Sequence, residues 1–101
     1  LAATPKRLYK GTAGTTSSTA YTVPANTTTI VKNIVLTNKS ASAATVTVVI
    51  AGTEIINNYS IDPNDTISVD LSLVMSAGET ITVQASAANA INIYISGVEV
   101  A

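Results

Sequence analysis

From position 66 to 73 the chain alternates without a fault, with Ile67, Val69, Leu71 and Leu73 set against Thr66, Ser68, Asp70 and Ser72. Successive side chains of a strand point to opposite sides, so this period of two predicts a strand with one face in a core and the other in water. The same alternation recurs along the chain. Val46, Val48 and Ile50 share a parity in 45–50, Ile81, Val83 and Ala85 in 80–86, and Ile91, Ile93 and Ile95 in the last segment. Ile67, Val69, Leu71, Ile81, Val83, Ile91, Ile93 and Ile95 are the expected core. In 29–38 the apolar residues fall on both parities, Ile30, Ile34 and Leu36 on one and Val31 and Val35 on the other. That pattern predicts a strand covered on both faces.

Turn chemistry punctuates the strands. A first strand is expected at 6–10, a Gly/Thr/Ser loop at 11–18, and a short strand at 19–23 stopped by Pro24. Ala51-Gly52 turns the chain into 53–61, Asp62-Pro63-Asn64-Asp65 turns it into 66–73, and Ser76-Ala77-Gly78-Glu79 leads to 80–86. In the last segment the parity changes between Ile95 and Val98, with Gly97 at the break. A bulge at Gly97, with positive φ, would return Val98 and Val100 to the core. Eight such strands in 101 residues predict an all-β fold of two packed antiparallel sheets, a sandwich in jelly-roll or Ig-like style. The chain is expected to be one domain, with an N-terminal strand or arm and loop at 1–18 and the sandwich body at 19–101.

Composition narrows the function. Hydrophobic residues make up 47% of the chain and charged residues only 11%, and the formal net charge is −1. There is no basic footprint for nucleic acid, and the low charge removes the usual guard of surfaces and sheet edges against association. No run of about 20 apolar residues is present, so no helical membrane span is expected. The opening Leu1-Ala2-Ala3-Thr4-Pro5 lacks the apolar segment of a signal peptide and begins without Met, as expected of a processed start or the interior of a longer product.

The chain has neither His nor Cys. This removes the usual general base, the thiol nucleophile and the commonest transition-metal ligands, so no catalytic residue, no metal site and no cofactor is expected. Asp62, Asn64 and Asp65 have oxygens suited to Ca²⁺, but their spacing is that of a turn. Asn-x-Ser/Thr triplets begin at Asn26, Asn38, Asn58 and Asn64, as chance provides in so Asn- and Thr-rich a chain. Lys6, Arg7 and Lys10 put three of the five positive charges beside Leu8 and Tyr9. Residues Lys6, Arg7, Leu8, Tyr9 and Lys10 are therefore the candidate partner-binding segment, either a charge-guarded edge strand or an arm that docks on an acidic neighbour.

Taken together, Lys6-Arg7-Leu8-Tyr9-Lys10-Gly11, Tyr21-Thr22-Val23-Pro24-Ala25 and the segment Ile30 to Asn38 resemble small tailed-bacteriophage virion proteins. Ala43 to Val48 and Ile95 to Val100 are similar to the same group. The resemblance implies a β-sandwich on the virion, either a capsid decoration (cement) protein or a module of the tail, neck or fibre. It implies a homo-oligomer, frequently a trimer in such proteins, whose partners are the major capsid protein or other virion subunits, assembled in the bacterial host cytoplasm. A module that recognises a host glycan is the alternative.

Overall fold

A computed structural model describes residues 2–101; Leu1, the first residue of the 1–18 segment, lies outside the described residues. The strands are β1 (Ala3–Thr12), β2 (Ser18–Thr22), β3 (Thr28–Asn38), β4 (Ala44–Ile50), β5 (Thr53–Ile61), β6 (Thr66–Met75), β7 (Thr80–Ala85) and β8 (Ile91–Val100). They form two four-stranded antiparallel sheets, β1-β8-β3-β6 (sheet one) and β2-β7-β4-β5 (sheet two). Within them β4 pairs with β5, β3 with β6, β2 with β7 and β1 with β8. The chain is thus one long antiparallel ribbon, folded at the β4–β5 hairpin and rolled so that successive strand pairs fall in alternate sheets. This is the jelly-roll winding, and of the two styles expected it is the one adopted.

Each expected turn forms, and the dihedrals show why. Ala51 and Gly52 both have positive φ, 52° and 76°, as a two-residue type I′ hairpin loop requires. Asn64 (φ 57°) carries the Asp62–Asp65 turn, which the Asp65 N–H closes onto the Asp62 carbonyl at 3.2 Å. Gly78 (φ 85°) carries the next, and there Glu79 Oε1 accepts the Ser76 N–H at 2.7 Å. Of the four Asn-x-Ser/Thr triplets, those at Asn26, Asn58 and Asn64 place their Asn at positive φ, a conformation Asn tolerates well. The fourth, Asn38, is fully buried: its amide donates to the Ser42 and Ile61 carbonyls, both at 2.9 Å, and its oxygen accepts from the Ser40 N–H and Oγ. It ties the end of β3 to the loop after it and to β5.

The core between the sheets is aliphatic, with Val31, Ile34 and Leu36 of β3 and Ile91, Ile93 and Ile95 of β8 facing Val46 and Val48 of β4 and Ile81 and Val83 of β7. Three expectations need correction. Strand β3 is not covered on both faces; its register shifts between Val31 and Asn33, and the extra residue Lys32 moves Ile34 and Leu36 onto the side of Val31. Gly97 is not a bulge and does not have positive φ. The alternation of β8 runs straight through it, and the extra residues sit on the neighbouring strands, Leu8 of β1 and Lys32 of β3. Glycine is needed there for space, because a Cβ would meet the Ile30 carbonyl oxygen and lie 2.9 Å from Leu8 Cδ1. Finally, Ile67, Val69 and Leu71 are only half-buried. They point inward, but β6 is an edge strand, and opposite it β5 breaks its ladder with β4 twice and leaves Ile55 and Tyr59 exposed.

Candidate interaction face

The register of sheet one lays out its outer surface in rows. Pro5 of β1 faces Val98 of β8, Val98 faces Ile30 of β3, and Ile30 faces Val74 of β6. All four lie on the side away from the core, because the parity set by buried Ile93, Ile95 and Gly97 puts Val98 outside. The result is an apolar row across every strand of the sheet, with Val74 at 68% exposure. The next row is Arg7, Ser96, Asn33 and Asp70, where the Asn33 amide donates to Asp70 Oδ1 at 2.8 Å. Beyond it come Lys10, Tyr94, Val35 and Ser68, and then the polar Thr12, Asn92, Thr37 and Thr66. Tyr94 is 43% exposed and stands beside an open depression of about 450 Å³ that Lys10, Lys39, Thr37 and Asn92 also line.

The candidate N-terminal segment is divided by the sheet. Arg7 and Lys10 are exposed on this outer face. Leu8 is buried in the core as the bulged residue of β1, and Tyr9, paired with Ile95, packs half-buried against the same core. Their apolar surface is used within the chain, and β1 is an edge strand hydrogen-bonded along its length to β8.

Lys6 lies at one end of the sandwich, where its Nζ is 3.2 Å from Glu99 Oε1. The other carboxylate oxygen of Glu99 accepts the Tyr21 hydroxyl proton at 2.5 Å. With its only proton so placed, Tyr21 accepts from the Thr29 hydroxyl at 2.8 Å, and Thr29 is fully buried. The cluster spans both sheets, since Tyr21 comes from β2 and the other three from β1, β3 and β8. Burial, and then the hydrogen bond to Glu99, push the Tyr21 hydroxyl up to about 12. The Tyr21 hydrogen bond, and after it Lys6, hold the Glu99 carboxyl below the ordinary carboxylate range. With each group satisfied by the others, the arrangement pins the sheets together and presents no free nucleophile or base.

The residues of the apolar row escaped the sequence reading, although their signal was present. Val98 in β8 and Val74 in β6 stand on the parity opposite the core residues of their strands, whereas Ile30 shares the parity of Ile34 and Leu36 in sequence and reaches the outer face only through the extra residue Lys32. The sequence reading absorbs the same signal into a two-faced strand and a bulge.

No family model matches the chain. No curated protein matches it either. Among solved structures it is similar to a pentameric capsid protein isolated from metagenomic phage sequences, at a TM-score of 0.39 and 19% identity, over 89% of this chain and 58% of that one. A second crystal structure of a pentameric capsid protein from metagenomic phage sequences, solved by iodide SAD phasing, gives a TM-score of 0.37 and 19% identity, over 89% of this chain and 59% of that one. The chain therefore spans less than two thirds of the length of either neighbour.

Proposed function

We propose that the chain is a structural protein of a tailed-phage virion, which decorates the capsid and stabilises it by clamping neighbouring capsid subunits. The observation that carries this reading is the outer face of sheet one, where the folded sandwich leaves Pro5, Val98, Ile30 and Val74 in a continuous row. An apolar row that crosses a whole sheet suits a protein partner. The likeness of its strand segments to small virion proteins indicates which partner: the major capsid protein or another virion subunit. The mechanism is adhesion by a homo-oligomer. Modest contacts, repeated over a symmetric shell, add up to a large retained affinity. Arg7 and Lys10, at the margin of the same face, steer docking more than they hold it.

The test is to count the chain on purified particles of the virus that encodes it, strip it off, and add it back to the bare shells. A copy number in proportion to the capsid subunits, with the shells' lost heat resistance restored on re-addition, is the expected result. A few copies confined to the tail would replace decoration by a tail, neck or fibre role, and absence from the particle would overturn the reading altogether. One observation favours a second reading, recognition of a host glycan: Tyr94 offers an exposed ring beside Asn92, Thr37 and Lys10, an aromatic platform with polar neighbours. Under that reading Tyr94→Ala abolishes glycan retention and leaves binding to shells unchanged.

A further inference from the structure

We infer that the outer face of sheet one pairs with the same face of a second copy, about a two-fold axis that runs parallel to the strands between β8 and β3. The order of residues within the rows is what makes the face self-complementary. Such an axis lays β1 of one copy over β6 of the other and keeps each row opposite its own counterpart. The apolar row then covers itself, Val98 against Ile30 and Pro5 against Val74. In the next row Arg7, at the β1 end, falls opposite Asp70, at the β6 end, once from each side of the axis. The other in-plane two-fold, across the strands, sets β1 against β1. Run through the Arg7 row it brings the two Arg7 side chains together and the two Asp70 carboxylates together; run through the apolar row it covers that row but sets Arg7 over Ala3 and leaves neither Arg7 nor Asp70 an opposite charge. Only one of the two arrangements is complementary in charge and in polarity together.

The size of the face also fits. Four strands at about 4.8 Å, each about ten residues long, present about 600 Å² a copy and bury about 1,200 Å² in all, the lower end of a specific protein interface. Sheets packed face to face align within about 30°, which keeps the middle rows in register. Lys32 opposes the contact. Its Nζ is held by Ser72 Oγ at 2.8 Å on the β6 side, where it faces the β1 edge of the other copy and so the partner's Arg7.

This inference rests on the assembly reading and names the virion subunit that covers this face as a second copy of the chain, so that attachment to a shell falls to the surfaces the dimer leaves open. It is tested on the isolated chain, so that its failure leaves attachment to a particle untouched, and failed attachment leaves the self-contact standing. The measurement is sedimentation equilibrium over a concentration series, with circular dichroism confirming that each variant keeps the parent's folded β-sheet spectrum. The parent is expected to form a dimer and no larger ring. Arg7→Asp alone and Asp70→Arg alone should each weaken dimerisation about tenfold or more, and an equimolar mixture of the two should restore it, since each then meets its opposite charge. Val74→Asp should abolish the dimer, and Lys32→Ser should tighten it. A parent that stays monomeric at about 1 mM overturns the inference. So does a mixture no tighter than its components, or a closed ring of more than two copies, which would require a heterologous contact.

Discussion

Gly97 shows how a single residue is constrained by its neighbours and not by its own backbone. The parity change at Ile95–Val98 reads as a bulge, yet β8 is the regular strand, and the extra residues belong to β1 and β3 on either side. Those two bulges draw the Ile30 carbonyl and the Leu8 side chain over the Gly97 Cα. A Cβ there must displace backbone, so Gly97→Ala is expected to lower stability by about 3 kcal/mol, as overpacking in a core does. Asn, larger and polar, should cost at least as much as Ala. A positive φ would instead favour Asn over Ala. Urea unfolding of the two variants distinguishes the causes, and a near-neutral Gly97→Asn would refute the steric account. Asn38 carries the same lesson for polar groups: a triplet that looks like a chance glycan acceptor is a buried amide that satisfies the Ser42 and Ile61 carbonyls.

Among the elements, the β4–β5 hairpin is the one in which local chemistry and fold disagree. The hairpin is formed by a two-residue loop that needs positive φ at both positions, and the chain supplies Ala51 at the first, where its φ is 52°. Alanine pays a steric cost there that Asn largely avoids. Ala51→Asn, which creates the Asn-Gly pair favoured in such loops, is expected to raise stability by about 0.5 to 1 kcal/mol. Thermal unfolding that shows no gain, or a loss, would mean that the Ala51 methyl, which packs against the core, contributes more than the backbone strain it brings. The edge strand β5 contrasts with its hairpin partner. Asn58, at φ 47°, has its N–H bonded to Thr47 Oγ1 at 3.0 Å, which closes over a break in the ladder and leaves Tyr59 49% exposed. That break is why the inward residues of β6 are only half covered.

At the scale of the molecule, two sheets held mainly by aliphatic packing carry a polar pin at one end, and the pin sets a dependence on pH. Glu99 titrates lower in the folded chain than in the unfolded one, so its contribution is present above the ordinary carboxylate range and is lost as pH falls through the folded value. Tyr21 titrates higher when folded, at about 12, so its contribution is present below the ordinary tyrosine value and is lost as pH rises through about 10 towards 12. Tyr21→Phe is therefore expected to melt lower near neutral pH and to lose less of that stability at either extreme. Parallel melting curves for parent and variant at pH 3, 7 and 11 check this in about three conditions, and an unchanged difference between the two at all three would refute it. Much of this architecture is determined by the sequence alone. Alternation and β-branching specify strands, Gly, Asn and Pro place the turns, and the absence of His and Cys removes the commonest catalytic groups. These are local properties, carried by residues a few positions apart. Which sheet a strand joins, which strands become edges, and which bulge shifts a neighbour's register depend on pairings between residues as distant as Ala3 and Val100. For that reason the assignment of Val98 and Val100 to the outside, and with it the apolar row, is settled only when β1, β8, β3 and β6 come together in one sheet. A strand's own period shows that it has two faces, but only the second sheet determines which of them is covered.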